Sequence, residues 1–99
     1  MSAGDASVDH RGRARLAVTG FGIKTPAGTG VAAFWDTLVA GRSTAAPMTL
    51  IDGAVLPVQF ACEVRDFDPV AYLGPKESRR ADRVAQLAFA AAADAAGDA

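Results

Sequence analysis

Apolar and polar positions fall in blocks along this chain, and each block predicts an element. Ala14 to Thr19 is a short, mostly apolar run of the kind that forms a buried parallel strand. Gly20 and Gly22 punctuate its exit, and Pro26 forbids a helix from starting directly behind them. Val31, Phe34, Trp35 and Leu38 then share one helical face, predicting a helix over Val31 to Ala40, with Thr29 as N-cap and Gly41 as the residue that stops it. Arg42 to Val55 is loop-like, with turns marked by Pro47 and Asp52-Gly53. Leu56 to Val64 alternates loosely and predicts a second strand. Asp68-Pro69 pairs a capping residue with a proline suited to the first helical position, opening a short turn that Gly74-Pro75 ends. Pro75 starts a further segment, Lys76 to Arg80, which leads into a last helix from about Ala81 to Ala96.

That last helix carries one polar side chain, Gln86, between Val84 and Ala93. A helix apolar around most of its circumference is buried on more than one side. Two strands and three helical pieces cannot provide that cover, so the pattern predicts a piece of a larger α/β protein. Residues 1–13 are small, polar and without periodicity, and read as a disordered tail. Residues 14–99 are then an incomplete folded unit, with no internal repeat and no linker.

Composition narrows the function classes. The chain has 99 residues, 51% hydrophobic and 21% charged, as expected of soluble globular material in at most one domain. A net charge of −1 lacks the basic excess of a nucleic-acid binder. One cysteine excludes an internal disulfide and fits a reducing compartment. No secretory signal or membrane-length apolar run is present, so the expected location is cytoplasmic. The many alanines read as default helix formers.

Four features invite chemistry. Gly20-Phe21-Gly22 after a strand resembles the start of a dinucleotide-binding turn, but position 25 is Thr and Pro26 follows, so a tight structural turn is the better reading. Cys62 lies inside the second predicted strand next to Glu63, a poor setting for a nucleophilic thiolate, and reads as a small buried residue. His10, the only histidine, lies in the tail. Lys76, Arg79, Arg80 and Arg83 fall at offsets of three and four, which places them on a shared helix side. Residues 76–83 hold four positive and two negative charges, a basic face suited to an acidic partner or a phosphate. The competing reading is a solvated face with Glu77 and Asp82 as ion-pair partners. Phe34-Trp35 reads as core packing of the first helix.

Taken together, Val18 to Gly30 (VTGFGIKTPAGTG), Phe34-Trp35, Ala40-Gly41-Arg42-Ser43, Val64-Arg65-Asp66-Phe67-Asp68 and Lys76 to Arg83 (KESRRADR) resemble the N-terminus of a type II β-ketoacyl synthase of fatty acid or aromatic polyketide synthesis. The resemblance covers about residues 15–96. Cys62 stands where glycine is usual, and Ala81 where a larger apolar residue is common. The last run favours a ketosynthase proper over its chain-length-factor relatives.

The resemblance implies a thiolase-like fold of five α/β/α/β/α layers, of which this chain is the N-terminal part. It implies a homodimer or a ketosynthase/chain-length-factor heterodimer. The implied reaction is decarboxylative Claisen condensation of an acyl group with malonyl-carrier protein. Lys76, Arg79 and Arg80 match the docking surface for acyl carrier protein, and Arg83 matches it less well. No metal or diffusible cofactor is implied beyond the carrier's phosphopantetheine arm. The family's chemistry needs one cysteine and two histidines in convergent positions. One cysteine and one tail histidine do not supply them, so no catalytic residue is assigned here. The alternative is a non-catalytic truncated product or a binding subdomain for carrier protein or a partner subunit. The 99-residue chain alone is expected to be molten or prone to aggregate.

Overall fold

The computed structural model describes residues 6–51 and 55–99. Helix α1 spans Val31–Ala40, strand β1 Ala46–Pro47, strand β2 Phe60–Ala61, helix α2 Pro69–Arg80 and helix α3 Arg83–Asp98. The strands form one antiparallel pair, with Ala46 opposite Ala61 and Pro47 opposite Phe60. The arrangement is mixed α/β, with its tightest packing where α2 and α3 meet. Val64, Ser78 and Ala90 are the buried residues among those described.

The helices follow the sequence closely. Helix α1 has the predicted bounds, and Gly41 closes it in the left-handed conformation (φ 65°) that costs glycine nothing. The Gly41 N–H donates to Leu38 and that of Arg42 to Thr37, the paired bonds of a Schellman stop. The N-cap is Gly30 and not Thr29, and no side chain caps this end. Asp68 caps α2 by accepting from the Val70 N–H. Gly74 (φ 78°) and Pro75 break α2 into two segments, as the sequence suggests. Ala81 is extended, and Asp82 caps α3 through the Ala85 N–H, so α3 starts two residues later than expected.

The strands do not follow the sequence. Residues 14–19 join no sheet, Ala14 making only an isolated bridge and Leu16 being 96% exposed, because no strand among the described residues lies beside them. Of the strand expected over Leu56 to Val64 only Phe60–Ala61 pairs, and its partner is drawn from the expected loop. Pro47, read as a turn marker, sits in β1; a proline suits this two-stranded edge because it has no N–H to offer. The expected turn at Asp52-Gly53 lies outside the described residues.

The polar tail is not wholly irregular. Residues 7–15 fold back on themselves through a bridge between Val8 and Ala14. Asp9 accepts from the N–H groups of Arg11 and Arg13 and pairs with the Arg13 guanidinium at 2.8 Å.

Apolar side chains are largely uncovered. Helix α1 buries none of its residues, and Trp35, expected in a core, is 62% exposed. On α3 only Ala90 is fully enclosed, while Val84 is 71% exposed. The radius of gyration is 19.1 Å, against about 13 Å for a compact 100-residue domain.

Candidate functional site

The sequence-predicted basic residues sit at the end of α2. Pro75 restarts the helix after the Gly74 break, giving a segment of six residues that ends at Arg80. Lys76, Arg79 and Arg80 are all exposed on it. Arg79 Nε donates to the Pro75 carbonyl at 3.3 Å, and Arg80 lies 3.8 Å from Glu77. Lys76 has no ion-pair partner among the described residues. Two cations in the last turn also complement the negative end of the helix dipole.

Arg83 does not join them. The chain turns at Ala81, so Arg83 opens α3, donates to the Val64 carbonyl and stacks 5.1 Å from the Phe67 ring centroid. The shared side expected for all four cations therefore holds only for the three on α2. Asp82, read as an ion-pair partner, is spent on capping α3. Glu77 does pair as expected.

A polar network absent from the sequence reading links the two helices elsewhere. Lys24 Nζ, its side chain 5% exposed, lies 2.6 Å from Asp94 and donates to the Thr29 carbonyl at 2.7 Å. The Tyr72 hydroxyl donates to the same carboxylate at 2.9 Å, and Lys24 sits 4.9 Å from the Tyr72 ring centroid. Phe67 packs on Tyr72 with centroids 6.0 Å apart. Three segments meet here: the 20–29 loop, the first half of α2 and the middle of α3.

Burial pushes the Lys24 ammonium toward its neutral form, but the bonds to Asp94 and Tyr72 and the charge of Asp94 outweigh it and raise its pKa. The bonds from Lys24 and Tyr72 hold the Asp94 carboxyl below its usual range against some desolvation. The usable signal was Asp94 itself, a lone charge in an alanine run.

Other candidates resolve into structure. Gly20 and Gly22 make neither a nucleotide loop nor a turn: the backbone there lies directly on α3. A Cβ at Gly22 would overlap the Ala91 carbonyl, and one at Gly20 would overlap that of Ala95. The Phe21 N–H between them donates to Asp98. The tight turn lies further on, where Thr25 and Gly28 exchange backbone hydrogen bonds of 3.0 Å around Pro26.

Cys62 is exposed just past β2, not buried within a strand. Its neighbour Glu63 turns to the 49–50 backbone, accepting from the N–H groups of Thr49 and Leu50, and also pairs with Arg65. His10 is exposed in the turn at 7–15. An open cavity of ≈ 300 Å³ between the Thr25–Thr29 loop, Thr37, Arg65 and Asp66 contains none of the basic α2 residues. No helix of the described residues is long and apolar enough to cross a membrane.

Comparison with known proteins places this arrangement. Residues 13–99 match the family described as Beta-ketoacyl synthase, N-terminal domain. The chain is 41% identical over 81 residues to the 3-oxoacyl-(acyl-carrier-protein) synthase 2 of Coxiella burnetii, covering 82% of this chain and 20% of that one. It is 41% identical over 85 residues to the tetracenomycin polyketide synthase ketoacyl synthase alpha subunit of Streptomyces glaucescens, covering 85% and 20%. The solved structure of the ishigamide ketosynthase/chain length factor superposes with a TM-score of 0.63 at 36% identity, covering 80% of this chain and 21% of that one. The chain thus spans about a fifth of the length of the relatives it matches. Its α/β arrangement is that of the corresponding part of a ketosynthase, and residues 13–99 belong to the β-ketoacyl synthase family, within its N-terminal domain.

Proposed function

We propose that this chain is the N-terminal part of a ketosynthase that condenses acyl and malonyl groups carried by acyl carrier protein, and that Lys76, Arg79 and Arg80 receive the carrier. In the complete thiolase-like, five-layered enzyme, an acyl group is held as a thioester on a cysteine. Malonyl-carrier protein loses carbon dioxide, and the resulting carbanion attacks the thioester carbonyl. The thiolate leaves, and the 3-oxoacyl product remains on the carrier's phosphopantetheine thiol. Neither Cys62, exposed just past β2, nor His10, exposed in its turn, is proposed as part of that chemistry. The 99 residues are therefore proposed to bind and not to catalyse.

The observation that supports the docking role is the exposure of three cations on one short helical segment, with only Arg80 paired to a carboxylate. An acidic carrier meeting this surface is steered by charge. The ketosynthase/chain length factor match supports assembly with a partner subunit of that kind. Charge reversal (R79E with R80E) in the full-length protein tests the docking role by titration with holo acyl carrier protein. Affinity is expected to fall about tenfold or more at low salt and less at high salt. Equal affinity for the variant and the parent at every ionic strength removes the docking assignment.

A further inference from the structure

Gln86, the one polar side chain in the apolar stretch of α3, has a place in the docking reading. The segment bearing Lys76, Arg79 and Arg80 has six residues, fewer than two turns. Helices this short do not hold themselves in water. The Gly74 break removes support from its N-terminal side, and extended Ala81 ends it on the other. Its last carbonyls therefore need donors from outside the helix.

Gln86 supplies them. Its Nε2 donates to the Ser78 carbonyl at 2.8 Å and to the Ala81 carbonyl at 3.2 Å. These two carbonyls bracket Arg79 and Arg80. One amide group thus ties the backbone on both sides of the paired arginines to the face of α3. Ser78 is itself buried and its hydroxyl donates to Pro75, so the anchored side of the segment faces α3 and the arginines lie exposed.

We infer that Gln86 is a positioning residue for the basic surface: it touches no carrier, but fixes the turn from which Arg79 and Arg80 are presented. The inference rests on the docking reading above. It makes an unusual prediction, because Gln86 is uncharged. Removing its amide makes the protein respond to salt as if a cation had been lost.

The experiment uses the full-length protein and holo acyl carrier protein, with affinity measured across ionic strength for the parent, Q86M, R79A/R80A and the triple variant. Q86M is expected to weaken binding about two- to tenfold, the worth of one or two hydrogen bonds, and to flatten the salt dependence. In the R79A/R80A background, Q86M is expected to add no further loss. If Q86M does not fold, Q86L makes the same comparison, being uncharged and without a donor. An unchanged affinity, or an unchanged salt dependence with losses that add to those of R79A/R80A, overturns the positioning role while leaving docking intact. If R79A/R80A itself binds the carrier like the parent, docking fails and the positioning role falls with it.

Discussion

The corner where α2 meets α3 and the more apolar helix α1 differ in what holds them. At the corner, directional bonds do the fixing: Lys24 and Tyr72 converge on Asp94, Gln86 holds the end of α2, and Arg83 reaches Val64. Helix α1 has correct ends and a sound stop, but its Trp35, Leu38 and Val39 are more than half exposed. Periodicity thus determines that a helix forms and where it stops. What the helix packs against is decided by partners elsewhere in the chain, and the few polar side chains interrupting an apolar stretch mark where such partners exist.

The sharpest way to break this contrast is to wedge the corner apart. Gly22→Ala in the full-length protein puts a methyl group into the Ala91 carbonyl. It is expected to cost about 1–3 kcal/mol in denaturant unfolding, the range for overpacking. An unchanged midpoint would mean that the loop does not lie on α3.

The Lys24–Asp94 pair gives the next effect, read as a pH profile of Tm. The folded pKa of Asp94 lies below its ordinary 3.8, so its contribution is complete above that value and is lost as pH falls through the lowered one. Lys24 is raised above 10.5, so its contribution is complete below that value and disappears as pH rises through the raised one. Asp94→Asn is expected to lower Tm across the plateau between these limits and to flatten both arms. The acid slope that remains belongs to Glu63 and Asp9, whose pKa values are also lowered. Profiles of equal shape for variant and parent would show that the pair contributes nothing.

A smaller change has the opposite sign. Gly97 lies in α3 with open space around its Cβ position, unlike Gly22. Gly97→Ala is expected to stabilise by about 0.5–1 kcal/mol through helix propensity alone. A loss instead would reveal a neighbour at that position.

The helices were legible because their signals are local. Asp68-Pro69, Gly74-Pro75 and Gly41 act through backbone geometry within a few residues, and each did what its chemistry requires. The strands were not, because pairing is a property of two segments. Residues 14–19 have strand composition but, beyond the single Val8–Ala14 bridge, pair with no strand among the described residues, whereas Ala46–Pro47 has little strand character and pairs because Phe60–Ala61 lies alongside. Among the candidate site residues, Lys76, Arg79 and Arg80 stand together as expected. Arg83 parted from them because a two-residue junction between helices carries no strong sequence mark. Lys24, Tyr72 and Asp94 lie 70 positions apart at the extremes, and only the fold brings them together.

The contact of Gly20 and Gly22 with α3 also limits how this protein can vary over time. Most tightly packed pairs can exchange size, one residue shrinking as its neighbour grows. Here one side is already glycine and the obstacle on the other is main chain, which no substitution trims. Neither glycine can therefore be exchanged for a larger residue unless the loop and α3 move apart, and moving them apart would stretch the Lys24 and Phe21 links that cross the same gap. The alanine-rich stretch beside them, so easily taken for compositional drift, borders a seam with no slack.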